Sequence, residues 1–490
     1  MALTIYRSNR VEMLQARLVQ RLAAMPLSDP FATEVVVVPT YAMGRWLNLN
    51  FARQQGIAAN IAYPQPGEWV WSLAGRLLDD IPQQDPYTRE TLGWSIFNTL
   101  PDLLKQAAFA SLQHYLNDDS SGIKRWQLSQ RIADCFDRYQ SSRPDLIRGW
   151  SQGEGNDWQA LLWRKLVTTR ELPHRVDIMQ RLVQHLNKPD LENVSKRGRL
   201  PERISLFALS RIPPTYLEIL HALAEHTELL LFQHNPTDQY WADLVSAKQQ
   251  ARQRLQSPQQ GEYFDSGNYL LTSWGRQGQT LQDLLLDLGP ITSAEIEDNY
   301  PPSSSNLLHS LQASLFHLEQ PRFADSVDDS VSVQLCHSPL RECQVLHDHL
   351  LTLLARHDDL STEDILVMVP EISRYAPYIE AAFQQDTSNR RPNLPWNISD
   401  ISVSDGHPLV GVFLQLLGLP TSRFARSEIM SLLECAEIRS RFGIDSSALD
   451  AIEHLIASAR VRWGINAQQR RDLGLPGIHE NTWQQAWERI

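Results

Sequence analysis

Few residues in this 490-residue chain invite chemistry, and most of them have a plainer use. Asp134 and Asp137 lie three apart in a stretch of helical periodicity, so their carboxylates share a face. Such a pair suits acid–base work. With Arg138 and Arg143 close by, it equally suits anchoring arginines or accepting hydrogen bonds from cytosine amino groups, and a solvated helix face would need neither. Cys336, His337, Cys343, His347 and His349 crowd together like a metal set. However, Cys343 falls on an apolar stripe with Leu346 and Leu350, and His347 and His349 point to different helix faces. No Gly-x-Ser-x-Gly elbow announces a hydrolase nucleophile. Tyr63, Trp69 and Trp71, set among Pro64, Pro66 and Gly67, fit a stiff loop that could stack on unpaired bases, although most such aromatics are core.

These residues need a frame, and residues 34 to 71 supply it. Val35 to Val38 is an unbroken β-branched run, as in a strand buried on both faces of a parallel sheet. Pro39 ends the strand and Thr40 can cap the helix that follows. Met43, Leu47 and Phe51 recur at helical spacing, and Gly56 closes the helix. This is half of a βαβ unit, with its loop where open α/β sheets bind ligands. Leu3 to Tyr6 reads as an earlier strand, followed by a helix that Asn9 and Glu12 would open as a capping box. Residues 204–209 and 228–232 read as further strands around a helix opened by Pro213-Pro214, and helical segments dominate between Trp71 and Arg199. Sheet residues on both sides of that block imply an insertion into one α/β domain. Residues 243 to 330 turn Gln-, Ser- and Asp-rich, with one apolar helix at Leu281–Leu288. The α/β grammar resumes with strands at Val331–Cys336 and Ile365–Val369, joined by a helix that Ser338-Pro339 opens.

A phosphate cradle would need glycines, a lysine and a magnesium-binding hydroxyl. Tyr6 to Arg10 has neither glycine nor lysine, Pro39 to Arg45 has Gly44 alone, and Leu209-Ser210-Arg211 stands where a magnesium-binding acidic pair would be expected. The frame is that of an NTPase without its catalytic parts. The net charge of −12 argues against a surface that coats nucleic acid indiscriminately, but leaves room for a local basic groove. The four cysteines stand singly, as in reduced cytoplasmic proteins, and no apolar run reaches membrane-span length. The last residues carry Trp483 and Trp487 at i,i+4 in an amphipathic pattern, so the chain reads as the front of a longer protein.

Several strings carry a specific resemblance across the whole chain. Ile5-Tyr-Arg-Ser-Asn-Arg-Val-Glu-Met-Leu, Gly56-Ile-Ala-Ala-Asn-Ile, Cys135-Phe-Asp-Arg-Tyr with Arg143-Pro144-Asp145, and Leu271-Thr-Ser-Trp-Gly resemble the RecC family, the gamma subunits of RecBCD exodeoxyribonuclease V. Cys336-His-Ser-Pro-Leu-Arg-Glu, Ile398-Ser-Asp and Arg462-Trp-Gly-Ile continue the match. The resemblance implies a catalytically inactive superfamily 1 helicase fold of RecA-like parallel sheets with a large helical insertion. Residues 1–80 plus 200–245 would form the first RecA-like domain, 81–199 its helical insertion, 246–325 a linker with surface helices, and 326–490 the start of a second helicase-like domain. It also implies a subunit that binds no cofactor and catalyses nothing itself, while RecB-type helicase–nuclease and RecD-type helicase partners use ATP and magnesium. Such a subunit guides the 3′ single strand and recognises the Chi sequence in it during double-strand break repair. The family's Chi channel, carried over position by position, would include Trp71, Asp134, Asp137, Arg143 and Arg175, all of matching type. Gln65 stands where the family has an apolar residue, and Pro39 and Arg45 where amide side chains are expected. The rival readings are a DNA-dependent ATPase with unrecognised motifs and an interaction scaffold without DNA contact.

Overall fold

The computed structural model describes residues 3–188, 200–256, 267–286, 292–297, 299–300, 305–321, 328–384, 394–399 and 408–489. Expectations for 189–199, for the ends of the polar stretches at Gln249–Gln260 and Pro301–Asn306, for Asp287 and Leu288 and for Asp400 therefore lie outside the described residues. The chain divides into two compact units, Met1–Val331 and Ser332–Ile490.

The first unit is built on a six-stranded sheet of β1 (Leu3–Ser8), β2 (Glu34–Val37), β3 (Ile61–Ala62), β4 (Arg203–Phe207), β5 (Glu228–His234) and β6 (Thr292–Glu297). All strands are parallel and the order is β3-β2-β4-β5-β1-β6. A parallel sheet must be covered on both faces, and the direction of each crossover decides which face its helix takes. Helices α1 (Val11–Ala24) and α2 (Tyr41–Gln55) follow the two strands whose connections run toward β3. Their Leu14, Leu18, Leu47 and Phe51 pack on Val36, Val38, Phe207 and Phe232. Helices α3 (Pro66–Leu77), α9 (Arg175–Leu186), α10 (Pro214–Leu223) and α11 (Arg276–Leu286) cover the other face, against Val37, Ile204, Leu206, Leu229 and Leu231.

Between β3 and β4, helices α4 (Arg89–Leu103), α5 (Ala110–Leu116), α6 (Ile123–Ser142), α7 (Pro144–Ser151) and α8 (Trp158–Arg170) enclose a core of their own around Tyr87, Ile96, Phe136, Trp150 and Trp163. Helix α9 belongs to both cores. Its Val176 packs into the helical core, and Ile178, Met179 and Leu182 into the sheet core.

The structure differs from the sequence reading at four places. Arg10 takes the cap position of α1 without a side-chain bond, because Asn9 exchanges hydrogen bonds with the backbone of Tyr300 instead. The stretch read as linker contributes β6, which pairs with β1. Val331–Cys336 and Ile365–Val369 join no sheet among the described residues, so the unit with a second parallel sheet is not seen there. Their composition favours strands, but a strand needs a neighbour, and Val333, Leu335, Leu366 and Met368 are all more than four-fifths exposed. In the second unit, α12 (Pro339–Arg356), capped by Ser338, and α13 (Ile372–Phe383) enclose a small core with Leu350, Phe383 and Leu394. A separate cluster gathers Met430, Ile456, Val461 and Ala486.

Gly44 shows how closely α2 packs on the segment that follows β3. Its added Cβ would lie 2.7 Å from Tyr63 Cβ. Helical Gly→Ala changes ordinarily stabilise by about 1 kcal/mol. Gly44→Ala is expected to do the opposite, costing about 1–3 kcal/mol by overpacking. Urea unfolding of the two proteins measures the sign, and a stabilised variant would contradict this packing.

Candidate nucleic-acid interface

Parallel open sheets bind ligands at the carboxyl edge, where adjacent strands send their chains to opposite faces. Here β5 lies beside β1, and β2 lies between β4 and β3, with diverging exits at all three junctions, giving one crevice at β1/β5 and a second region flanking β2. The first is occupied by the chain itself. Asn235 N–H donates to Ser8 O at 2.9 Å, His234 Nε2 bonds Asn9 O at 3.3 Å, and the Asn9 amide holds Tyr300. Arg10 lies over the Tyr300 ring, 5.2 Å from its centre.

Among the described residues the second is open. Thr40, Tyr41 and Arg45 from the β2 exit and Ser210 and Arg211 from the β4 exit are exposed. Thr40 Oγ1 accepts from Met43 N–H at 3.2 Å and so starts α2. Val38 N–H donates to Pro64 O at 3.0 Å, which brings Gln65, the residue preceding α3, to the same edge. Pro39, Arg45 and Gln65 thus gather around the exits of β2 and β3, where the first turns of α2 and α3 add partial positive charge.

The remaining expected site residues lie along α3, α6 and α9. Trp71, half-buried, donates from Nε1 to Pro82 O at 3.1 Å, while Trp69 is core. Tyr63 is half-buried as well, so none of the three aromatics stands out into solvent. Arg175 opens α9 and is clasped by Asp85, with Nε–Oδ2 at 2.9 Å and Nη2–Oδ2 at 2.6 Å. Asp137 Oδ1 lies 3.1 Å from the same Nη2, and Ser141 Oγ accepts from Nη1 at 3.3 Å. Burial opposes the Arg175 charge, but Asp85 and Asp137 outweigh it and raise its pKa. Tyr216, at the start of α10, faces Arg175; burial raises the pKa of its hydroxyl. Asp134 pairs with Arg138 at 2.7 Å. Both aspartates are therefore engaged with arginines, an arrangement that suits anchoring better than proton transfer. Arg143 ends α6 and precedes α7; its exposed side chain lies 3.8 Å from Asp145.

Sequence reasoning missed Asp85 and Tyr216. Neither belongs to a local pattern, and their proximity to Arg175 arises only when α3, α6, α9 and α10 are packed. It also missed Tyr41, whose side chain is 68% exposed although it begins an amphipathic helix.

A family model for the RecC N-terminal domain matches residues 3–318, and one for the RecBCD enzyme subunit RecC fourth domain matches residues 406–490. Relatives described as RecBCD enzyme subunit RecC include that of Escherichia coli K12, 34% identical over 98% of this chain and 47% of the relative. Those of Haemophilus influenzae and Mycolicibacterium smegmatis are 30% and 32% identical, over 99% and 100% of this chain and 48% and 45% of the relatives. The chain spans about half the length of the curated relatives it matches.

Removing one carboxylate from the Arg175 clasp leaves a nearly buried charge short of its partner. Asp85→Ala is expected to destabilise the first unit by about 3 kcal/mol. Chemical denaturation followed by tryptophan fluorescence reads this out; a loss below about 0.5 kcal/mol, typical of an exposed pair, would contradict it.

Proposed function

The chain belongs to the RecC family, and from that premise we propose that it serves as the non-catalytic subunit of a RecBCD-type DNA helicase–nuclease acting in double-strand break repair. It binds DNA, guides the 3′ single strand and reads a Chi-like sequence in it. Its partners are a RecB-type helicase–nuclease and a RecD-type helicase, which use ATP and magnesium, and the assembly works in the cytoplasm. Among the described residues no helix is long and apolar enough to cross a membrane.

The observation that carries this reading is the contrast between the two crevices. The strand order and diverging exits fit a helicase-like, RecA-type domain of residues 1–80 plus 200–245, with 81–199 as its helical insertion. Residues 246–325 would link it to a second helicase-like unit from 326 onward. The crevice between β1 and β5, where the first loop would cradle phosphate, is filled by Asn9, His234 and Tyr300. No glycine relieves that loop, so a nucleotide would have to displace internal hydrogen bonds. The region flanking β2 stays open among the described residues and carries Pro39 and Arg45 at the β2 exit and Gln65 at the β3 exit, with Trp71, Asp134, Asp137, Arg143 and Arg175 beyond it. Paired carboxylates and half-buried aromatics provide fixed acceptors and stacking faces for unpaired bases.

Two outcomes are expected. With the intact complex assembled, photo-crosslinkers at Arg45 and Arg143 should capture 3′-tailed DNA, while one at Arg10 should not, and the isolated chain should hydrolyse no ATP. DNA-stimulated turnover by the clean chain would overturn the reading. Gln65 and Arg45 depart from the family pattern, so Gln65→Leu with Arg45→Gln should shift the pause sequence of the complex, each contact changing discrimination by about 1–3 kcal/mol. An unchanged sequence preference would remove these positions from base readout.

A further inference from the structure

His174, immediately before Arg175, is fully buried, and its hydrogen bonds fix its tautomer. Ser151 Oγ donates its proton to Ile147 O at 2.9 Å and accepts from Trp163 Nε1 at 3.1 Å. Its contact with His174 Nε2 at 3.0 Å must therefore be donated by the imidazole. The same Nε2–H lies 3.1 Å from Asp177 Oδ2. That leaves Nδ1 as a bare acceptor, and it takes the backbone N–H of Asp177 at 3.3 Å. The imidazole is thus the N-cap of α9, accepting from the amide three residues on, as capping side chains do. Serine, histidine and aspartate meet here, but although Ser151 is exposed its proton is directed away from the imidazole, to Ile147 O. It is a structural network and no nucleophile.

We propose that His174 is the positioning residue for Arg175: in its neutral form it caps α9 and holds the guanidinium at Asp85 and Asp137, and acid releases that hold. A protonated imidazole has an N–H at Nδ1, which cannot accept from the Asp177 amide, so the cap is lost with the proton gained. The groups around it are Asp177 on α9, Asp85 and Tyr87 from the segment before α4, Ser151 of α7 and Trp163 of α8. Arg170 lies over the Tyr87 ring, 5.1 Å from its centre, and Arg175 begins the helix being capped. Burial lowers the His174 pKa, against the attraction of Asp177 and Asp85. The neutral cap is therefore fully effective above the ordinary histidine value of about 6.5, weakens as pH falls below it, and is lost as pH falls through the depressed folded value. The consequence for DNA rests on the function proposed above; the consequence for the helix does not.

Hydrogen exchange of the 490-residue chain, corrected for intrinsic rates, tests the helix directly. The Asp177 amide should lose about five- to tenfold of its protection as pH falls from about 7.5 past the ordinary histidine value and through the depressed folded one, the size of a lost N-cap. His174→Asn keeps an acceptor at the cap without a titratable ring, and should remove this acid dependence. Protection in the wild-type chain that is constant with pH would overturn the proposal, as would an equal acid loss in His174→Asn. The wild-type titration decides the matter alone if the variant does not fold. In the assembled complex, affinity for 3′-tailed DNA should weaken over the same pH window. If protection falls and affinity does not, the positioning role stands and it is the DNA reading that fails.

Discussion

One guanidinium joins the two cores of the first unit. Arg175 stands where α9 passes from the helical core to the sheet core, and its partners come from the segment before α4 and from α6. Apolar packing between these bodies is strong but non-directional. Small slides of α9 would cost it little, whereas a planar fork held by Asp85 on two nitrogens and by Asp137 on one has a single satisfactory register. Taking such a charge out of water is unfavourable unless it is fully paired. The fork therefore ties the position of α6, and with it Asp134 and Arg143, to the sheet.

The sheet imposes the complementary constraint. Burying both faces of β4 and β5 requires helices above and below, and right-handed crossovers then force diverging exits at β1/β5 and on both sides of β2 along the carboxyl edge. The topology makes crevices whether or not chemistry uses them. What differs is how the exit loops end: Asn9 turns inward to Tyr300 and closes one crevice, while Thr40 turns forward to cap α2 and leaves the other open. Closing such a crevice needs no change in architecture, only side chains that bond the protein's own backbone.

Local physics made much of this legible in the sequence. The β-branched run at Val35–Val38, the Thr40 cap and the left-handed Gly56 at φ 81° appear as their residues prescribe. The i,i+3 aspartates were legible too, as a shared face. Long-range choices were not. Asn9 looked like a helix cap, but its partner is 291 residues away. The polar sequence of β6 is a strand because β1 offers it an edge, while Val331–Cys336 and Ile365–Val369 have strand composition and no such edge among the described residues. Asp85 and Arg175 are 90 residues apart, and no local rule links them.

The arginines explain how an acidic protein could still present a site for a nucleic acid. Several are structural: Arg203 is nearly buried and forked onto Glu34, Arg175 onto Asp85, and Arg470 donates to the carbonyls of Trp463, Ile478 and Glu480. Such cations add nothing to the outer field. Arg45 and Arg211, exposed at the open crevice, form no ion pair among the described residues, so the accessible positive charge there is small and local. Counterion release scales with the phosphates neutralised. A strand held in this crevice would then owe only a modest share of its binding to phosphate contacts, leaving more to stacking and to the edges of its bases, which carry sequence. A surface that is to distinguish one sequence from another gains by limiting the charge that binds them all alike.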